Sequence, residues 1–137
     1  VYENPLFGIG PDAAKPQWKD LRLGGDGRLA PGHFHSTPLQ LAVDRGLPAL
    51  AAWIALMATV LVSGARLARR CGAREADGLD WRVTAAALGA WGAVLGFAAS
   101  SLVHFNWGDS EPMEMAWCLM GISFAIARLE GARGDSA

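Results

Sequence analysis

Charge is what this sequence has least of. Asp, Glu, Lys and Arg make up 18% of its 137 residues, against about a quarter in an ordinary water-soluble domain. The shortage excludes a disordered polyelectrolyte tail, which carries charge in place of apolar side chains. Net charge is also nearly absent. The 12 basic and 13 acidic residues leave −1, so no global basic field points to nucleic acid as a partner. Cysteine is scarce: Cys71 and Cys118 are the only two, too few for a disulfide framework. The first residues, VYENPLFGIGPD, hold no initiator Met, basic n-region or signal-peptide core, and they read as the continuation of a longer polytopic chain.

What the sequence has in quantity is apolar surface. Hydrophobic residues reach 52% and mean hydropathy is +0.21. Two runs hold no charge at all, Leu47 to Ala65 and Val83 to Val103. At about 1.5 Å per helical residue, each can cross a hydrocarbon core of roughly 30 Å. A third apolar run, Met115 to Ala127, is shorter and reaches spanning length if it starts near Pro112. Gly89, Gly92 and Gly96 fall in the second run, the last two spaced GxxxG. Small residues at that spacing let membrane helices approach closely.

These patterns predict an all-α membrane protein with three transmembrane helices, over 47–65, 83–103 and 112–127. An outer loop region with short helices, 1–46, precedes them, and the whole is a fragment of a larger helical bundle. Arg66, Arg69, Arg70, Arg74 and Arg82 crowd the loop 66–82, and Arg128 and Arg133 follow the third run in the tail 128–137. Cytoplasmic segments carry the excess of Lys and Arg, so both are placed inside. Residues 1–46 and the short loop 104–111 then face the outside, although Lys15, Lys19, Arg22, Arg28 and Arg45 soften the contrast.

All three histidines, His33, His35 and His104, fall on that outer side. Two precede the first membrane helix and one opens the loop HFNWGDSEP after the second, so they are expected to meet at one mouth of the bundle. Ser36 or Thr37 suits a helix N-cap, and Pro38 suits the first helical position. His35 would then stand at a helix start, whose electropositive end favours a neutral, proton-accepting imidazole. Asp109 and Glu111 can orient a histidine or bind hydroxyls, or simply cap the third helix. Arg45 can face an anionic donor or anchor the helix at the interface.

The segment from His35 resembles the His signature of the O-antigen ligase and polymerase superfamily: His, then Asn or Ser, nine residues, then Gly. Here it is His35, Ser36, Thr37 through Arg45, then Gly46. Upstream, NPLFGIGPD (Asn4 to Asp12) is similar to the family's PLxGxG stretch. Downstream, NWGDSEPMEMAWCLMGI (Asn106 to Ile122) resembles its last outer loop and final helix. The family pattern puts Glu near position 104, where this chain has His104.

The resemblance implies the C-terminal part of a glycosyltransferase of the bacterial inner membrane. Such enzymes move a glycan from an undecaprenyl-diphosphate carrier to an acceptor hydroxyl, on lipid A-core, a growing glycan or a protein, at the periplasmic face. It implies His35 as general base, with His33, Ser36, Arg45, His104, Asp109 and Glu111 binding or orienting. It implies no metal and no other cofactor. The arginines that hold the diphosphate lie upstream of the His motif in the family, so this fragment is expected to be inactive alone. The residue types fit the chemistry: imidazole, with a reference pKa of about 6.5, can take a hydroxyl proton during attack. A diphosphate leaving group needs cations rather than an acid. An oligosaccharide polymerase and a protein O-glycan ligase share the motif. From other classes, a metal-binding membrane protein could use His33, His35, His104, Asp109 and Glu111 as ligands, and a non-enzymatic subunit would not need His35 for any transfer.

Overall fold

The computed structural model describes residues 4–11, 13, 34–75, 78, 80–108 and 110–134. Among them every regular element is an α-helix: α1 (Thr37–Glu75), α2 (Trp81–Ser100) and α3 (Ser110–Gly134). Two are long and apolar enough to cross a membrane, α1 over Thr37–Arg74 and α2 over its whole length. In each, 22% of the most apolar window is buried, whereas a helix in a soluble core is mostly covered.

The helices run past the apolar stretches expected from sequence. Residues 66–75, expected as loop, continue α1, and Trp81 and Arg82 already belong to α2. Charge ends an apolar run without ending a helix, because Arg, Ala and Leu are all good helix formers. What starts α2 is a cap. The Arg82 amide donates to Asp80 Oδ1 at 3.0 Å, and the Val83 amide to the Asp80 carbonyl at 2.9 Å, satisfying N–H groups that have no partner within the helix. The Arg82 guanidinium lies over the Trp81 ring, 5.8 Å from its centre. At the other end α2 stops at Ser100 rather than Val103, and α3 covers Ser110–Gly134 rather than 112–127. Cys71 is therefore helical and buried, while Cys118 is exposed, and neither forms a disulfide.

The chain divides into two compact units, Val1–Leu56 with Ser100–Gly108, and Met57–Ala99 with Asp109–Ala137. In the second, α1 buries Met57, Val60, Leu67, Ala68 and Cys71, α2 buries Thr84, Ala87, Ala90 and Val94, and α3 buries Ala116 and Met120. Spacings of three, four and seven residues, with Ala68 beside Leu67, make each set one helical face. Leu67, Cys71 and Ala87 form a cluster with Val83 and Ile126 packed on it. Outside these stripes Val62, Leu88, Leu95, Ile122 and Phe124 are exposed.

Among the described residues the close helix approach falls at Gly64, and the GxxxG face is left open. A methyl group added at Gly89, Gly92 or Gly96 meets nothing within 4 Å, whereas one at Gly64 would stand 2.8 Å from Trp91 Cδ1. Trp91 cannot easily yield, because its indole N–H donates to the Leu61 carbonyl at 3.1 Å. Gly64→Val should therefore weaken α1–α2 packing by about 1–3 kcal/mol, the usual cost of overpacking. Gly92→Ala should leave this chain's own packing unchanged. Thermal unfolding of both variants in a mild detergent distinguishes them. Equal midpoints would mean that the Gly64–Trp91 contact does not hold the helices together.

Candidate functional site

The first unit is built around a break in α1. Gly46 has φ 83° and ψ 178° inside the helix, and Pro48 follows it. An unbroken helix would bond the Leu47 amide to the Val43 carbonyl, and residue 48 to Asp44. Proline has no amide hydrogen to give, and the Leu47 amide turns instead to the Pro5 carbonyl at 2.8 Å. The two freed carbonyls are taken by the upstream segment. The Ile9 amide donates to Val43 at 2.9 Å and the Gly10 amide to Asp44 at 3.1 Å. Backbone lies directly on backbone here. A Cβ at Gly8 would strike the Val43–Arg45 main chain, and one at Gly46 would strike that of Pro5 and Leu6. The glycines that end the His signature and punctuate PLFGIG thus meet each other's segments.

At its start, α1 is tied to the turn after α2. The Thr37 amide donates to the Ser101 carbonyl at 2.8 Å and its hydroxyl to the His104 carbonyl at 3.1 Å. Thr37 is fully buried, so its hydroxyl links two segments and does not cap the helix. Ser36 accepts the first helical bond through its carbonyl, from the Gln40 amide at 2.9 Å. Ser36 therefore holds the N-cap position, and Pro38 sits one place deeper than expected from sequence. These ties bring the His35 and His104 rings together, stacked at 25° with centres 6.3 Å apart. Both rings are exposed. The turn is itself anchored from within. Asn106 is buried and its amide donates to the Ser100 hydroxyl. Trp107 packs edge-on against Trp53, with centres 6.5 Å apart at 89°.

Behind His35 runs a buried polar chain that the sequence reading passed over. The Phe34 amide donates to Gln40 Oε1 at 2.6 Å, and Gln40 Nε2 donates to Asp44 Oδ2 at 2.6 Å. Gln40 is 2% and Asp44 7% exposed. The signal was available: two polar residues four apart in an apolar helix share one face. The chain ends open. Asp44 Oδ1 and the Trp53 indole nitrogen are buried with no hydrogen-bond partner among the described residues.

The other residues expected at the site are not all brought to it. Arg45 is exposed, next to the break. Glu111 is exposed in the first turn of α3, within the second unit. His33 and Asp109 lie outside the described residues. Among the described residues no three His, Cys, Asp or Glu side chains gather as metal ligands. The arrangement offers two adjacent imidazoles within reach of solvent, held by a buried frame. Such a pair can take a proton from a hydroxyl and hand it to water. Comparisons with protein-family models, with curated proteins and with solved structures give no match to this chain.

Proposed function

We propose that this chain is the C-terminal part of an O-antigen ligase-like glycosyltransferase of the bacterial inner membrane. It moves a glycan from an undecaprenyl-diphosphate carrier to an acceptor hydroxyl at the periplasmic face. The observation that carries the reading is the His35–His104 pair at the start of an apolar helix of spanning length. Its frame joins the three stretches that resemble the family, PLFGIG, His35 to Gly46 and the Asn106–Trp107 turn. In this reading α3 is the third membrane helix, and the arginine-rich end of α1 faces the cytoplasm.

In the reaction the acceptor oxygen attacks the anomeric carbon and the bond from that carbon to the diphosphate breaks. His35 takes the hydroxyl proton as the new bond forms. The undecaprenyl diphosphate leaves with its negative charge, which cationic side chains stabilise. His104, beside His35, positions the ring. Ser36 and Thr37 fix the backbone that carries it. Ligase, polymerase and protein-glycan ligase share this step and differ in the acceptor.

Cells lacking the protein should accumulate glycan on undecaprenyl diphosphate, and restoring it should discharge that glycan onto an acceptor. Thin-layer separation of extracted carrier lipids reads the result. Unchanged carrier-linked glycan, with every envelope glycan still assembled, would remove the proposal.

A further inference from the structure

The second unit holds a recess that the transfer reaction does not use. It has a volume of about 520 Å³ and lies between the C-terminal part of α1 and α3. Arg66, Arg70 and Arg74 line it, with Ser63, Cys71 and Phe124 among the other walls. Spacing of four residues puts the three arginines on one helical face, one turn above the next. Among the described residues no carboxylate lines it. Three cations over an apolar floor fit a ligand with an anionic head and an apolar body.

We infer that this recess binds the headgroup of an anionic phospholipid from the membrane around the protein. The inference rests on the membrane reading of α1 and not on the transfer chemistry. Leu47 to Ala65 carries no charge and matches the hydrocarbon thickness, so Arg66, the first charge after it, stands at headgroup level. The guanidiniums meet the phosphate in forked hydrogen bonds, and the acyl chains lie along Phe124, which lines the recess and is exposed. Arg69 projects from the same helix turn but does not line the recess, which makes it an internal control.

The test uses the full protein, purified in neutral detergent and titrated with phosphatidylglycerol or phosphatidylcholine, with bound lipid counted by native mass spectrometry. Phosphatidylglycerol should be retained in preference. Arg66→Gln with Arg70→Gln should weaken it about thirty-fold, since one basic residue at an anionic surface contributes about five-fold. Arg69→Gln should change it about two-fold or less, and Arg66→Lys with Arg70→Lys should keep most of it. Equal retention of the two lipids, or a double Gln variant that binds like the wild type, overturns the inference. So does complete displacement by millimolar inorganic phosphate, which would mark a site for a free anion. Alkaline carbonate extraction separates the two levels of failure. Release of the protein from membranes removes the membrane reading and this site with it. Retention in membranes without lipid preference removes the lipid site alone.

Discussion

Under the proposed function, replacing His35 by Ala in the full-length protein should lower glycan transfer by about 10²- to 10⁴-fold, the usual cost of losing a general base. The protein should remain inserted and should still bind its lipid-linked donor. Position and framing both lead to this expectation. His35 is exposed one residue before the N-cap of α1, where a substrate can reach it. The Phe34–Gln40–Asp44 chain and the two bonds of Thr37 hold the backbone on either side, and none of them needs the imidazole. The variant should therefore fold. His104→Ala removes the stacked neighbour but leaves the carbonyl that Thr37 binds, so its loss should be smaller, about ten-fold. His33→Ala should also cost less than His35→Ala. Undiminished transfer by a well-inserted His35→Ala protein would refute the assignment. Equal losses in all three variants would favour a shared metal or structural role.

Gly46→Ala should destabilise the first unit by about 3–5 kcal/mol. At φ 83° and ψ 178°, Gly46 occupies backbone space that is essentially closed to other residues, at a cost of about 1–3 kcal/mol when one is forced there. The new methyl would also press on the Leu6 main chain and come within 2.8 Å of the Pro5 carbonyl oxygen. Relief means moving the upstream segment away, which breaks its bonds to Val43, Asp44 and Leu47, each worth about 0.5–1.5 kcal/mol. Gly8→Ala should behave in the same way from the other side. Gly10→Ala should be milder, since its φ of 102° is strained but its nearest neighbour, the Ala13 methyl, is 3.8 Å away. Melting in detergent and protease cleavage within residues 4–11 are the measurements. A wild-type midpoint and cleavage rate for Gly46→Ala would show that the segment is not held by this contact.

The first charge-free run lies inside α1 and the second, up to Ser100, inside α2, because hydrophobic length is written residue by residue. The helix ends are less legible. The arginines after Ala65 interrupt hydropathy while favouring helix, so composition alone places a loop where the helix goes on. Gly46 and Gly8 can be read as turn signals, but a residue string does not show that each makes room for the other's backbone. GxxxG drew attention to Gly92 and Gly96, yet the close approach falls at Gly64, because contact depends on which face meets Trp91. The spacing of Gln40 and Asp44 puts them on one helix face, but that this face is buried and the pair bonded is a property of the fold. The nearness of His35 and His104 followed from order along the chain, since both flank the same ends of adjacent helices. The stacking and the Thr37 ties did not.

The break at Gly46 also bears on how such a protein can diversify. Ile9 and Gly10 are pinned to α1 on one side of a long stretch of chain, and Phe34 is pinned to Gln40 on the other. Where that stretch departs and returns is thus set by the helix and not by its own length. Closing a longer loop between fixed ends costs little, about 0.6 kcal/mol for each doubling. Insertions between residues 11 and 34 can therefore be carried at little cost while the ties of Phe34 and Thr37 keep His35 beside His104.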